Sequence, residues 1–85
     1  MDILHTLQTL NACHGPSGDE REIADAIQKL AAPYVDACST DVMGNLICHK
    51  KGPGSRVLFC AHMDSIGCIV TLIEKEGFLR FGKVG

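Results

Sequence analysis

The fold and the candidate site of this chain both depend on residues 56–67, which read Arg-Val-Leu-Phe-Cys-Ala-His-Met-Asp-Ser-Ile-Gly. An apolar run that ends in a histidine and an acid is typical of a buried strand that delivers polar groups to a site. Because side chains alternate along a strand, His62 and Asp64 are predicted to share one face. At about 3.3 Å per residue, their Cα atoms would lie roughly 6.6 Å apart, near enough to serve one site.

The composition predicts one small globular domain. Of the 85 residues, 46% are hydrophobic and 21% are charged, and the formal net charge of −2 gives no attraction to nucleic acid or anionic lipid. The apolar runs are shorter than the roughly 18 residues that a membrane helix needs, and the N-terminus lacks the basic region of a signal peptide. We therefore predict a cytoplasmic protein with no nucleic-acid partner and no membrane association.

Five cysteines are many for this length, but their number is odd and no Cys-x-x-Cys spacing occurs, so a disulfide framework is not expected. Cys48, Cys60 and Cys68 lie in strand-like apolar patterns and are interpreted as small buried hydrophobic residues. The alternative is a structural zinc held by the Cys-His pairs at 13–14 and 48–49. The spacing of those pairs does not match a zinc knuckle.

Two amphipathic helices are predicted in the first part of the chain. Residues 2–13 place apolar side chains on one helical stripe, and a Gly-Pro pair follows that stripe. Ser17 and Glu20 have the spacing of a capping box at the start of a second helix, whose apolar positions recur until Pro33.

After Pro33 the pattern becomes that of strands. Two hairpins are predicted, the first from residues 34–39 and 46–49 around a turn at 41–45, the second from residues 67–73 and 78–81. Together with the strand at 56–67, they predict an α/β fold in which two helices precede a mixed β-sheet. No element closes the sheet after the last hairpin, which indicates an incomplete portion of a domain.

His62 and Asp64 form a candidate fragment of a metal site. Imidazole is a good zinc ligand, and a carboxylate can either coordinate the metal or hold the imidazole from behind. The His-x-Asp spacing alone is common, and a hydrogen-bonded structural histidine is the simpler interpretation. A nucleophilic site, with Ser65 or Cys60 activated by His62, would need an oxyanion hole, and the sequence contains no nucleophile elbow.

Several motifs, taken in order, closely resemble the glutamyl or deblocking aminopeptidase family, dinuclear metallopeptidases that in some cases were labelled endoglucanases. These motifs span nearly the whole chain: Gly15–Gly18 with Glu20, Asp41 with Gly44–Ile47, Ala61–Gly67, Ile69–Thr71, Gly77–Phe81 and Val84–Gly85. Several motifs in register are far more specific than the His-x-Asp pair by itself.

This resemblance implies that His62 is a metal ligand and that Asp64 is the catalytic acid that orients it. It also implies a metal-dependent aminopeptidase that removes N-terminal residues from peptides with water activated by two divalent ions, zinc or cobalt. Family members form dimers and larger tetrahedral shells, so a homo-oligomer is expected. Ser65 stands where the family carries glutamate, a difference that bears on local polarity and substrate preference.

The resemblance further implies that the chain is part of a larger phosphorylase/hydrolase-like domain. Residues 1–66 would be the N-terminal portion of the catalytic domain, and residues 67–85 the start of an inserted β-domain. The general-base glutamate and the other metal ligands of the family would lie beyond Gly85. Because zinc sites take three or four protein ligands, the chain alone is expected to bind metal weakly and to be inactive. The alternative is a non-catalytic interaction module that pairs through exposed strand edges.

Overall fold

Two helices precede four strands across residues 2–85, which are the residues that the computed structural model describes. The elements are α1 (Ile3–Asn11), α2 (Arg21–Ala31), a 3₁₀-helix (Ala32–Tyr34), β1 (Ala37–Thr40), β2 (Leu46–His49), β3 (Gly67–Ile73) and β4 (Leu79–Val84). The α/β class and the two-helix start are confirmed.

The start of α1 follows from local capping. Asp2 is the N-cap, and its Oδ1 accepts hydrogen bonds from the backbone N–H groups of Leu4 (3.1 Å) and His5 (3.4 Å). These contacts satisfy donors that have no partner inside the helix. The helix ends before the Gly-Pro pair, as the sequence predicts.

The capping box predicted for α2 is wrong. The N-cap is Glu20, and no side chain caps the helix. Glu20 Oε1 instead accepts a hydrogen bond from the backbone N–H of Gly18, and the Ser17 hydroxyl donates to Asp64, which lies 47 residues away in the sequence. The Ser17 hydroxyl is therefore hydrogen-bonded to the distant Asp64 carboxylate and does not cap the helix.

The two predicted hairpins are confirmed, as two separate antiparallel sheets of two strands each and not as one mixed sheet. In the first, β1 pairs with β2 in a register that sets Cys38 opposite Cys48. In the second, β3 pairs with β4, with an irregularity between Val70 and Leu72. Gly44 and Gly77 lie in the two connecting turns at φ values of 85° and 88°, a region that glycine adopts without steric cost.

The predicted buried strand at 56–67 is wrong over residues 56–64, which form no regular element. Its apolar side chains at 57–59 are exposed, and Phe59 is 92% accessible. A strand needs the backbone of a neighbouring strand to satisfy its N–H and C=O groups, and none of the four described strands pairs with this segment. Cys48, Cys60 and Cys68 are likewise exposed, which corrects their interpretation as buried residues.

Very little of the chain is buried. In the described part of the chain, Ile23 on α2 is the one buried hydrophobic residue. It packs against Gly15, where an added Cβ would lie 2.7 Å from Ile23 Cγ2. The chain is elongated, with principal extents of 63 × 29 × 15 Å, and most of its large apolar side chains face solvent. Residues 2–85 also contain no helix that is both long and apolar enough to cross a membrane.

We expect Gly67→Ala to disturb the contact between the N-terminal segment and β3. An added Cβ would lie 2.8 Å from Pro16 Cβ, on a rigid ring that cannot move aside. Overpacking of this kind costs about 1–3 kcal/mol, so the Ser65 amide, which donates to Gly15 O, should exchange its hydrogen roughly tenfold faster. Amide exchange followed by NMR measures this effect.

Gly54→Ala is the matched control, since nothing lies within 4 Å of the position that its Cβ would occupy. Equal exchange rates at Ser65 in the two variants would contradict this account of the contact.

Candidate functional site

The site is built on a short backbone pairing between two segments that are distant in the sequence. Pro16 and Ser65 form an isolated parallel bridge. The Ser65 N–H donates to Gly15 O at 2.7 Å, and the Ser17 N–H donates to Ser65 O at 3.1 Å. The pairing holds the loop before α2 against the segment that carries His62 and Asp64.

A chain of hydrogen bonds runs from this pairing to the histidine. The Ser17 hydroxyl donates to Asp64 Oδ2, and Asp64 Oδ1 lies 3.1 Å from His62 Nδ1. The backbone carbonyl oxygen of Asp64 is also 3.1 Å from His62 Nδ1. Because both of these partners are acceptors, the proton of the neutral imidazole lies on Nδ1, and Nε2 keeps a lone pair.

The carboxyl group of Asp64 is held in its ionised form. The hydrogen bond from Ser17 is the largest cause that lowers the pKa of Asp64 below its ordinary value, and the hydrogen bond with His62 lowers it further. Asp64 is partly exposed and His62 is mostly exposed. An ionised carboxylate behind a solvent-facing imidazole makes that imidazole a better ligand or base at Nε2.

Three of the sequence motifs meet around one open cavity of about 240 Å³. It is lined by Glu20, by residues 43–46 of the first hairpin and by residues 61–64. The structure thus brings together the predicted site residues His62 and Asp64 with the acid at the start of α2 and the Gly-Asn turn.

The turn that lines this cavity is organised by Asp41. Its Oδ1 accepts from the backbone N–H groups of Met43 (3.0 Å) and Asn45 (2.9 Å), and its Oδ2 accepts from Asn45 Nδ2 at 2.9 Å. The side-chain hydrogen bond from Asn45 is the main cause that lowers the pKa of Asp41. Asp41 therefore fixes the wall of the cavity and does not itself line it.

Within residues 2–85, no three histidine, cysteine, aspartate or glutamate side chains are grouped closely enough to hold a metal ion. The Cys-His pairs of the alternative zinc site are therefore not grouped as metal ligands. His14 Nε2 instead contacts Asp19 Oδ2 at 2.9 Å. A metal ion bound at His62 would therefore need further ligands besides those that residues 2–85 group together in this structure.

Ser17 is a site residue whose contact the sequence interpretation missed. Its spacing to Glu20 predicts a helix cap, whereas its hydroxyl contacts Asp64. Its place in a Gly-Pro-Ser-Gly motif was the available signal, since a cap alone does not require the glycines and the proline around it.

Solved structures contain the same fold. A TET aminopeptidase from a marine sediment archaeon of the Thaumarchaeota superposes with a TM-score of 0.89 at 36% sequence identity, covering 96% of this chain and 23% of that chain. The fold is therefore that of a segment of an aminopeptidase.

Sequence relatives agree with this structural match. A candidate aminopeptidase of Acetivibrio thermocellus is 44% identical to this chain over 84 residues. The match covers 99% of this chain and 26% of the relative. The lysyl aminopeptidase of Pyrococcus furiosus is 39% identical over 72 residues, or 84% of this chain and 21% of the relative. Residues 44–85 match the family described as M42 glutamyl aminopeptidase. The chain is therefore similar to a segment of this family's aminopeptidases, and it spans about a quarter of the length of the relatives that it matches.

We expect Ser17→Ala to raise the pKa of Asp64 toward its ordinary value of about 3.9, because the main hydrogen bond to the ionised form is removed. Carboxyl ¹³C chemical shifts followed against pH report this change. In the unsubstituted chain the folded-state pKa lies below the unfolded value. The contribution of the ionised Asp64 to folding stability is therefore fully present above the unfolded pKa and is lost as the pH falls through the folded pKa.

Ser55→Ala removes a similar hydroxyl from an exposed loop and is the control. The assignment of Ser17 would be wrong if both variants titrate Asp64 like the unsubstituted chain.

Proposed function

We propose that this chain supplies part of the metal centre of a metal-dependent aminopeptidase. The observation that carries the proposal is the hydrogen bond between His62 Nδ1 and Asp64, which leaves Nε2 of the neutral ring free to bind a divalent ion. Similarity to an aminopeptidase family supports the same function. The roles assigned are metal ligand for His62 and positioning acid for Asp64.

The residues fit a divalent ion such as zinc or cobalt, with one ligand from this chain. Nitrogen of a neutral imidazole suits both metals, and a carboxylate on the second ring nitrogen is the usual support of such a ligand. When two divalent ions are bound, the chemistry that they supply is activation of water for attack on a peptide carbonyl.

The contribution of this chain to that reaction is orientation. Ser17 holds Asp64, Asp64 fixes the tautomer and the ring direction of His62, and the turn at 43–46 shapes the cavity beside them. Glu20 adds a carboxylate to the same cavity, where it can attract a cationic group such as the amino terminus of a peptide.

The proposed substrates are peptides with a free N-terminus, and the proposed complete form is a cytoplasmic homo-oligomer. The names of the relatives support this choice of substrates, and the TET aminopeptidase that shares the fold supports an oligomer. One histidine provides fewer ligands than the three or four of a zinc site, so we propose that residues 1–85 alone bind metal weakly and do not turn over peptides. Residues 1–66 would belong to the catalytic domain, and residues 67–85 to the start of an inserted β-domain.

A chimera tests the metal-ligand role. The matching segment of the Pyrococcus furiosus lysyl aminopeptidase, 39% identical, is replaced by this chain, and bound metal and aminoacyl-anilide hydrolysis are both measured. We expect His62→Ala to lower the metal content and to reduce kcat/KM by about a hundredfold or more, because loss of a residue that only supports a ligand already costs about 10–100-fold.

His5→Ala in the same chimera is the control, since His5 is exposed on α1 and far in sequence from the site. Normal metal content in the His62→Ala chimera would refute the ligand role even if hydrolysis fell. Robust hydrolysis by the 85-residue chain alone would refute the claim that its catalytic groups are incomplete.

A second candidate function is binding to another chain without catalysis. Both sheets have two strands and open edges, and the apolar side chains at 57–59 are exposed, as expected of a surface that another polypeptide covers. If binding is the main function, sedimentation velocity should show self-association that Phe59→Ser weakens and Ser55→Ala does not. A monomer at all concentrations would exclude self-association as that function.

A further inference from the structure

Two thiols face each other across the first hairpin. Cys38 on β1 lies directly opposite Cys48 on β2, and their Sγ atoms are 3.5 Å apart. Both are free cysteines, Cys48 being exposed and Cys38 partly exposed. The candidate metal centre uses neither residue.

Their position in the ladder is one that a disulfide can bridge. The Asp41 N–H donates to Asn45 O, and bonded and non-bonded positions alternate along an antiparallel pair, so Cys38 and Cys48 occupy a non-hydrogen-bonded position. At such a position the Cα atoms are about 4.5 Å apart, which lies within the range of about 4.4–6.8 Å that disulfides span. Side-chain rotation can bring the sulfurs to a bond length of about 2.05 Å without moving the strands.

The hydrogen bond with Cys38 raises the pKa of the Cys48 thiol above its ordinary value, so Cys48 keeps its proton at neutral pH. Since the thiolate is the nucleophile, the pair should react faster as the pH rises.

We propose that Cys38 and Cys48 form an oxidisable dithiol site that reacts with small disulfides such as oxidised glutathione. One thiolate attacks a sulfur of the small disulfide and releases a small thiolate. The second thiolate attacks the resulting mixed disulfide, which forms the Cys38–Cys48 bond and releases the other small thiolate. The protein dithiol loses two electrons and two protons, and the small disulfide gains them as two thiols.

The bond would join β1 and β2 just beyond the turn that lines the cavity. Oxidation would thus fix the hairpin whose turn residues 43–46 stand beside His62. The proposal rests on the hairpin geometry and does not depend on metal binding.

The test is oxidation of the full 85-residue chain over a series of glutathione redox buffers, followed by alkylation of remaining thiols, digestion and peptide mass spectrometry. We expect the Cys38–Cys48 peptide pair to exceed the Cys60–Cys68 pair about tenfold, the ratio that a preference of about 1.4 kcal/mol gives. Cys60 and Cys68 are only eight residues apart, whereas Cys38 and Cys48 are ten apart. A chain without the hairpin would favour the shorter loop, so an equal or larger yield of Cys60–Cys68 would overturn the proposal.

Single variants provide the controls. Cys38→Ser and Cys48→Ser should each stop at the mixed disulfide with glutathione, because the resolving thiol is missing. Cys60→Ser and Cys68→Ser should leave the yield of the Cys38–Cys48 bond unchanged. A fall in that yield in the Cys60→Ser variant would show disulfide shuffling and would contradict a preformed pair.

Discussion

The pairing of Ser65 with the backbone around Pro16 is the contact on which the site depends. It joins segments about fifty residues apart through two backbone hydrogen bonds, and the Ser17 hydroxyl adds a third contact to Asp64. An apolar core does not enforce this arrangement, since Ile23 is the one buried hydrophobic residue among those described. The close approach also requires small residues, because a side chain at Gly67 would meet Pro16.

Such a contact is modest in energy. A hydrogen bond contributes about 0.5–1.5 kcal/mol net, and ordering one residue of backbone costs about 1–2 kcal/mol. Burial of apolar surface normally offsets that cost, but Phe59 and its neighbours are exposed. The same conformation nevertheless superposes at a TM-score of 0.89 on an aminopeptidase of which it covers 23%. The chain thus has the shape of one segment of that larger fold. The exposed apolar side chains of the chain are suited to burial against other polypeptide.

The sequence predicts those features whose causes are local. Asp2 caps α1 with its own side chain, and Gly44 and Gly77 adopt the positive φ that their turns require, so the first helix and both hairpins follow from short-range patterns. Ser17 and the segment 56–64 show the limit of that approach. Whether Ser17 caps a helix or binds Asp64 is decided by a residue far along the chain, and an apolar run becomes a strand only beside another strand.

The contact between His62 and Asp64 forms without the strand predicted at 56–67. Strand geometry predicts that the two residues share one face about 6.6 Å apart at Cα, whereas in the structure the imidazole reaches both the carboxylate and the carbonyl oxygen of Asp64. Residues two apart can form this contact in an irregular loop, provided that the loop is held, and Ser17 and Ser65 hold it. The orientation of the histidine is therefore built into this chain, while the strength of the metal binding proposed for it would depend on the number of further ligands. A preoriented imidazole binds an ion more tightly than a freely rotating one, because the entropy of ordering the ring is lost before the ion binds.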